Sequence, residues 1–363
     1  GIPLRRFRRR ELGTQLAGGR LAAIMKNSET QILIIAEAGV NHNGDLSTAE
    51  RLVAAAVEAG ADAVKFQTFD PDALAVEGAD KAAYQKETTA PDESQREMLR
   101  RLRLSDKDHE ALRDRCREAG VEFLSSPFDE RSADMLEALG VSRLKLGSGE
   151  LTNKPLLEHV ARKKLPLLLS TGMSTLGEVA EAVTWYHEAG GSELTLLHCV
   201  SQYPAPPEQT NLRAMDALRD RFGLPVGFSD HSTGLAIPIA AAARGARVIE
   251  KHFTLDKTLP GPDHRASIEP ADFAAMVRGI REVESALGDG VKQPAPCEAD
   301  TRIAARKSLV AARPLTAGRK LARTDIAVKR PGTGAPPKDL EQFLGRELKR
   351  DLETDAPLRL EDI

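Results

Sequence analysis

Cysteine is scarce in this chain of 363 residues: only Cys116, Cys199 and Cys297, each isolated. With no CxxC pair there is no sign of a disulfide framework, and the set suits a reducing cytoplasm. No apolar run approaches the roughly 20 residues that cross a bilayer as a helix. Excess charge of one sign is missing too. Lys and Arg number 51 against 54 Asp and Glu, a net charge of −3, and the cations are spread along the chain. That argues against a dedicated nucleic-acid binder. Residues 1–30 are Arg- and Gly-rich at their start but lack the apolar segment of a secretory signal. They read as a flexible leader rather than a basic arm, with Met25 as the expected natural start.

What is present is a large apolar fraction, 41%, cut into eight short runs. They are Ile32–Gly39, Ala63–Thr68, Glu122–Phe128, Arg143–Gly149, Pro166–Gly172, Leu194–Val200, Pro225–His231 and Val248–Phe253. Each is rich in Leu or β-branched residues without polar alternation, the pattern of a buried parallel strand. Helical patterns fill the gaps: Ser47–Ala59, Ser105–Ala119, Thr175–Ala189, Gly234–Arg244 and Ala271–Leu287. Eight strand–helix units predict a (β/α)8 TIM barrel over residues 31–288. The gap Asp70–Glu97 is the long one and reads as a functional loop. After Gly288 the texture changes. Residues 289–303 read as a linker. Residues 304–363 read as a small β-rich module with strands at Ser308–Ala312 and Ile326–Arg330 and an amphipathic stretch at Leu340–Leu344. Such a module is marginal in size by itself.

In a barrel of this kind the site lies at the C-terminal ends of the strands. Those ends carry Glu37, Lys65, Gln67, Ser126, Ser148, Glu150, Ser170, His231 and His252. His231 and His252 close neighbouring strands, so their imidazoles can converge. They read either as two ligands of a divalent transition metal or as one catalytic and one structural histidine. Lys65 and Gln67, two apart, face the same side of a strand. A lysine aimed into a barrel needs an anion. The anion is either a substrate phosphate or carboxylate, or a buried Glu37 or Glu150. Lys145 offers a second cation. Ser126, Ser148, Ser170 and Ser229, with Gly147, Gly149 and Gly172, resemble a phosphate cradle, although any one serine is equally a helix cap. Glu37 and Glu150 are candidate acids or bases. His42 reads as a substrate-orienting or a plain loop histidine. His264 lies in a Gly/Pro loop beside Asp263, and His198 reads as a hydrogen-bonded core residue. His109, His159 and His187 fall on helices and are expected at the surface.

AEAGVNHNGD, VKFQTF, SSPFDE, KLGSGE, STGMST, YPAPPE, GFSDHS, EKHFTLDK and GPDHRAS follow one another in this order. Together they resemble the sialic acid synthases from about Ile32 to the C-terminus. That resemblance implies a phosphoenolpyruvate-condensing barrel followed by a β-clip module of the antifreeze-like (SAF) type. The implied reaction is that of an N-acetylneuraminate synthase. Phosphoenolpyruvate joins the open-chain aldehyde of N-acetylmannosamine, giving a nine-carbon 2-keto acid and phosphate. The resemblance further implies that His231 and His252 hold a divalent metal, Mn2+ foremost, with Mg2+ or Co2+ as the other candidates. Lys65, Lys145, Ser126, Ser148, Ser170 and Ser229 would grip phosphoenolpyruvate. Glu37, Gln67, Tyr203 and Asp263 would face the sugar. Arg330, in KRPGTG, would reach the acetamido group in the partner's site of a domain-swapped homodimer.

One position departs from the N-acetylneuraminate pattern. Ser201 stands two residues before Tyr203, where bacterial N-acetylneuraminate synthases commonly carry Asn. Serine there resembles both the vertebrate-type synthases and bacterial ones of the legionaminic type, which act on 2,4-diacetamido-trideoxymannose. Two other readings stand beside these. One is a synthase of eight- or seven-carbon keto-acid phosphates, a class without the C-terminal module. The other is a non-catalytic carbohydrate- or ice-binding protein.

Overall fold

The protein is described by a computed structural model covering residues 31–363 apart from Pro91. The leader expected over residues 1–30 lies outside the described residues. All eight expected strands form: β1 (Leu33–Gly39), β2 (Ala63–Thr68), β3 (Glu122–Pro127), β4 (Leu144–Leu146), β5 (Leu167–Ser170), β6 (Leu194–His198), β7 (Val226–Asp230) and β8 (Val248–His252). Each hydrogen-bonds its neighbour in parallel in the order β3-β2-β1-β8-β7-β6-β5-β4, and the two end strands pack side by side to close the barrel. Most strands are one to four residues shorter than the apolar runs. The missing residues, Ser148 and His231 among them, begin the loops that carry the site.

Alternation along each strand explains both the core and the site. Ile34, Ala36, Val64 and Phe66 point outward into the main core under the helices. Ile35, Ala63, Leu124, Leu168, Leu197 and Val248 point inward and plug the barrel. Two residues further on, the same inward face carries Glu37, Lys65, Ser126, Ser170 and Glu250. The polar mouth thus stands on an apolar floor, one layer deeper.

The outer ring starts with α1 (Leu46–Glu58), whose N-cap is Asp45, accepting from Thr48 N, and not the Ser47 that the sequence suggests. The loop expected over residues 70–97 contains α2 (Pro71–Leu74), α3 (Ala83–Thr88) and the start of α4 (Gln95–Leu102). Met98, Leu99 and Leu102 of α4 pack with Val40, Phe69 and Ala75 into a satellite core beside the mouth. Then come α5 (Asp106–Ala119), α6 (Glu130–Leu139), α7 (Lys154–Arg162), α8 (Leu176–Glu188), α9 (Ala214–Phe222), α10 (Ala236–Ala243) and α11 (Pro270–Leu287). Thr175 and Glu178 form a capping box at the start of α8, and Ser105 caps α5. Among the described residues no helix is long and apolar enough to cross a membrane.

Asp289–Ile363 is a second compact unit. The stretch read as a linker holds the start of a helix, α12 (Ala299–Ala305). Strands β9 (Ser308–Ala311) and β10 (Ile326–Lys329) pair antiparallel, and single bridges join Val310 to Pro357, Leu315 to Leu352 and Lys320 to Glu347. Leu309, Leu315, Ile326, Phe343, Leu352 and Leu358 form its core. Asp325 is fully buried and accepts from Arg313, Arg319 and the Ala322 amide. The Leu340–Leu344 stretch falls across the end of a short 3-10 helix, Pro337–Gln342, with Phe343 in the core.

Candidate active site

A cavity of about 450 Å³ opens at the C-terminal ends of the strands. Of the barrel residues that the sequence put forward, Glu37, Lys65, Gln67, Ser126, Lys145, Ser148, Glu150, Ser170, Ser201, Tyr203, Ser229, His231, His252 and Asp263 line it, whereas Gly172 and His42 do not. Arg330 is an exposed residue of the second unit, where its Nε donates to the Ala305 carbonyl at 3.0 Å.

Strand register builds the centre. Glu37 on β1 lies beside Lys65 on β2 and His252 on β8. Lys65 Nζ is 2.7 Å from Glu37 Oε2 and donates to Ser126 Oγ at 3.1 Å. It is also 3.6 Å from Glu250 Oε2, while Glu250 Oε1 is 3.6 Å from Lys145 Nζ. Glu250 accepts from Ser229 Oγ at 2.8 Å. The four buried charges therefore alternate: Glu37, Lys65, Glu250, Lys145. Alternation is what makes so much buried charge tolerable, because an unpaired ion there would be strongly unfavourable. Lys65 pairs with Glu37 and Glu250 but not with Glu150, whose carboxylate accepts from Asn153 Nδ2 at 2.7 Å.

Burial and neighbours split the carboxyl groups into two kinds. Burial pushes Glu37 up to about 7 despite the pull of Lys65. It pushes Asp263 up to about 6 and raises Glu150 as well. For Glu250 burial acts the same way, but Lys145 and Lys65 outweigh it and hold the carboxyl below its ordinary range. Glu37, Gln67 and Asp263 converge over Gly39. A Cβ there would lie 3.2 Å from Glu37 Oε1, 3.4 Å from Gln67 Nε2 and 3.6 Å from Asp263 Oδ2. Gly39 also has φ of +53° at the end of β1, so the position favours glycine on two counts.

The imidazoles of His231 and His252 sit with ring centroids 5.4 Å apart, and the Tyr203 ring packs 4.2 Å from His231. Desolvation lowers both histidines, so both are neutral. His231 Nδ1 donates to the Val200 carbonyl at 2.7 Å, which leaves the Nε2 lone pair for a ligand. His252 Nδ1 is buried without a hydrogen-bond partner, 3.8 Å from Asp263 Oδ2. Two neutral imidazoles, one with its tautomer fixed and one with an orphaned nitrogen, fit a divalent cation. Among the described residues no group of three or more ligating side chains assembles, so such an ion would take its other ligands from water or substrate.

On the far side Ser148 Oγ accepts from the Gly172 amide at 3.0 Å, and Ser170 Oγ is buried without a partner. A Cβ on Gly172 would meet Ser201 Oγ at 2.3 Å, Ser148 Oγ at 2.8 Å and Cys199 Sγ at 2.9 Å. Only a glycine fits there.

The remaining histidines lie outside the cavity lining. His198 donates to the Thr210 carbonyl at 2.8 Å, the core role expected of it. His42 is a buried loop residue whose Nδ1 accepts from the Gly44 amide. His264 bonds Thr254 Oγ1 at 2.7 Å. His109 corrects the sequence reading: it is on α5 but buried, against Thr68 Oγ1 and the Ser105 carbonyl. His187 is exposed, and His159 is half-buried against Asp134. Sequence reasoning missed Glu250. Its signal was there: Glu250 stands two residues before His252 on the same strand and so shares its inward face.

The NeuB family matches residues 52–292 and the SAF domain residues 306–363. The N,N'-diacetyllegionaminic acid synthase of Legionella pneumophila is 47% identical over 342 residues, covering 93% of this chain and 96% of that protein. That of Campylobacter jejuni is 44% identical over 329 residues, covering 90% and 98%. Among solved structures, the N-acetylneuraminic acid (sialic acid) synthetase of Leptospira borgpetersenii in complex with citrate is 35% identical. Its TM-score is 0.67, over 74% of this chain and 90% of that one. On motif order, barrel, charge cluster and these matches together, the chain belongs to the NeuB family of sialic acid synthases and carries a C-terminal SAF domain.

Proposed function

We propose that the protein is a phosphoenolpyruvate-dependent nonulosonic acid synthase of the legionaminic type, acting in the cytoplasm on 2,4-diacetamido-trideoxymannose. The observation that carries the reaction class is the single mouth in which Lys65 and Lys145, ringed by Ser126, Ser148, Ser170 and Ser229, face two neutral imidazoles. A phosphate and a carboxylate on one small molecule need such a set of cations and hydroxyl donors. The names of the Legionella and Campylobacter relatives favour the diacetamido sugar over the N-acetylmannosamine expected first from sequence. Ser201 is in keeping with that choice.

In this reading the lysines and serines fix phosphoenolpyruvate with C3 toward the sugar aldehyde. Glu37, Gln67 and Asp263 orient the sugar from over Gly39. A divalent cation on His231 and His252, manganese foremost, would polarise the aldehyde oxygen as a Lewis acid. C3 bonds to the aldehyde carbon, water adds at C2, and cleavage of the C2–O bond releases phosphate. The raised Glu37 and Asp263 exchange protons near neutral pH, which suits either of them to give one proton to the former aldehyde oxygen as it becomes an alkoxide, forming the new hydroxyl. Arg330 completes the sugar site of a partner subunit in a domain-swapped homodimer. A purely carbohydrate- or ice-binding role leaves the buried run Glu37–Lys65–Glu250–Lys145 without a purpose.

The test is mass spectrometry of products from phosphoenolpyruvate and a panel of acetamido sugars, with phosphate release followed in parallel. The diacetamido sugar should give the highest kcat/KM, and chelation should abolish turnover until manganese is restored. A higher kcat/KM for N-acetylmannosamine refutes the legionaminic assignment, and phosphate release in excess chelator refutes the metal.

A further inference from the structure

Cys199 follows β6 directly, is 4% exposed, and has no part in the chemistry above. It does not line the substrate cavity. It faces a neighbouring cavity of about 550 Å³, beside Thr171 and His198. Its sulfur lies 3.0 Å from Ser148 Oγ, whose other partner is the Gly172 N–H at 3.0 Å. The three groups are packed so closely that a single carbon added at Gly172 would lie within 2.9 Å of both Ser148 Oγ and Cys199 Sγ. No water fits between them.

A serine hydroxyl has one proton to give and two lone pairs to fill. Gly172 fills one lone pair. The contact with sulfur then runs in one of two directions. If Ser148 donates to the sulfur, it turns a lone pair toward the cavity and repels an anion. If the Cys199 thiol donates to Ser148, both lone pairs are filled and the Ser148 proton can point only into the cavity. Thioether and thiol sulfurs are weak acceptors, whereas a bound phosphate or carboxylate is a strong one, so an anion selects the second arrangement. Resting on the reading that Ser148 grips phosphoenolpyruvate, we propose that Cys199 is a positioning residue whose thiol donates to Ser148 Oγ and commits the Ser148 proton to the substrate anion.

The experiment is a double-mutant cycle in the full-length protein with Cys199→Ala, Ser148→Ala and both together, plus Cys199→Ser. Steady-state kinetics are read for both substrates, and inorganic phosphate binding is read by calorimetry. Cys199→Ala should raise the phosphoenolpyruvate KM and the phosphate Kd by about 3- to 10-fold, the scale of one neutral hydrogen bond. The sugar KM should stay put, and Cys199→Ser, which keeps a donor, should recover most of the loss. In the Ser148→Ala background Cys199→Ala should do nothing more. Cys199→Val, which fills the space without a donor, replaces the alanine variant if that one is unstable. An equal loss in the Ser148→Ala background, or no recovery in Cys199→Ser, overturns the proposal. Unchanged phosphoenolpyruvate and phosphate binding in Ser148→Ala alone instead refutes the reading of Ser148 on which it rests.

Discussion

Replacing Gly172 by alanine adds one carbon at the most crowded point of the mouth. The backbone there is not in the left-handed region, so the whole effect is steric. The new Cβ would lie 2.3 Å from Ser201 Oγ, 2.8 Å from Ser148 Oγ and 2.9 Å from Cys199 Sγ. Three contacts under 3.0 Å cannot be relieved by one rotamer change, because Ser148 is held by the amide of the same residue. Overpacking of this kind costs about 1–3 kcal/mol. For a barrel of this size that lowers the melting temperature by about 2–12 °C. On the proposed function, displacing Ser148 also removes its hydrogen bond to the phosphoenolpyruvate anion, worth about 1.5–3 kcal/mol, or about 10- to 100-fold in affinity. Thermal unfolding and calorimetry with phosphoenolpyruvate read both numbers. Gly177→Ala is the control: it sits in α8, where its Cβ would meet only Thr175 Oγ1 at 3.7 Å, and alanine suits a helix. A Gly172→Ala protein that melts and binds like the parent refutes the reasoning.

Lys65→Met removes the cation between Glu37 and Glu250 and should weaken phosphoenolpyruvate binding by about 10- to 100-fold; normal affinity with poor sugar use would assign Lys65 to the other substrate. Asp325 is held well below the ordinary aspartate value of about 3.9 by Arg319 first, then by the Ala322 amide and Arg313. Its contribution is therefore complete above about pH 4 and lost as pH falls through the lower folded value. Asp325→Asn should speed amide exchange in β9 and β10 at pH 7 but not in the barrel strands, and equal exchange in both proteins at pH 7 rules this out. For Arg330, the inactive variants Arg330→Ala and Glu37→Ala are mixed and allowed to exchange subunits. A swapped dimer then has one site free of both lesions and regains activity, whereas a mixed dimer confirmed by mass that stays inactive removes the swap.

The barrel was legible because buried parallel strands are continuous apolar runs, and polar residues at their ends are rare enough to stand out. The site was legible for the same reason, residue by residue, except where a charge sat inside a run. Glu250 was overlooked because VIEKHF reads as a strand with a reactive end, and only the ladder shows that Glu250 lies between two lysines on other strands. His109 was misplaced because a helical histidine beside charged residues looks exposed. Its burial depends on Thr68, 41 residues away. The insertion after β2 gave no periodicity long enough to register, since α2 and α3 span only 4 and 6 residues. The placements of Glu250 and His109 are not local facts, and local pattern is all that spacing conveys.

Ser201 sits between two parts of the candidate site. The carbonyl of Val200 holds the ring of His231, while the Ser201 hydroxyl lies against Gly172 and thereby against Ser148. A larger side chain at 201 would press on the anion pocket through Gly172 and strain the chain segment that fixes the His231 tautomer. On the proposed function, acceptor choice, anion grip and imidazole orientation are therefore coupled through this one segment. Engineering a new sugar preference at this position calls for compensating changes around residues 172 and 199, and a lone exchange there should trade catalytic rate for selectivity.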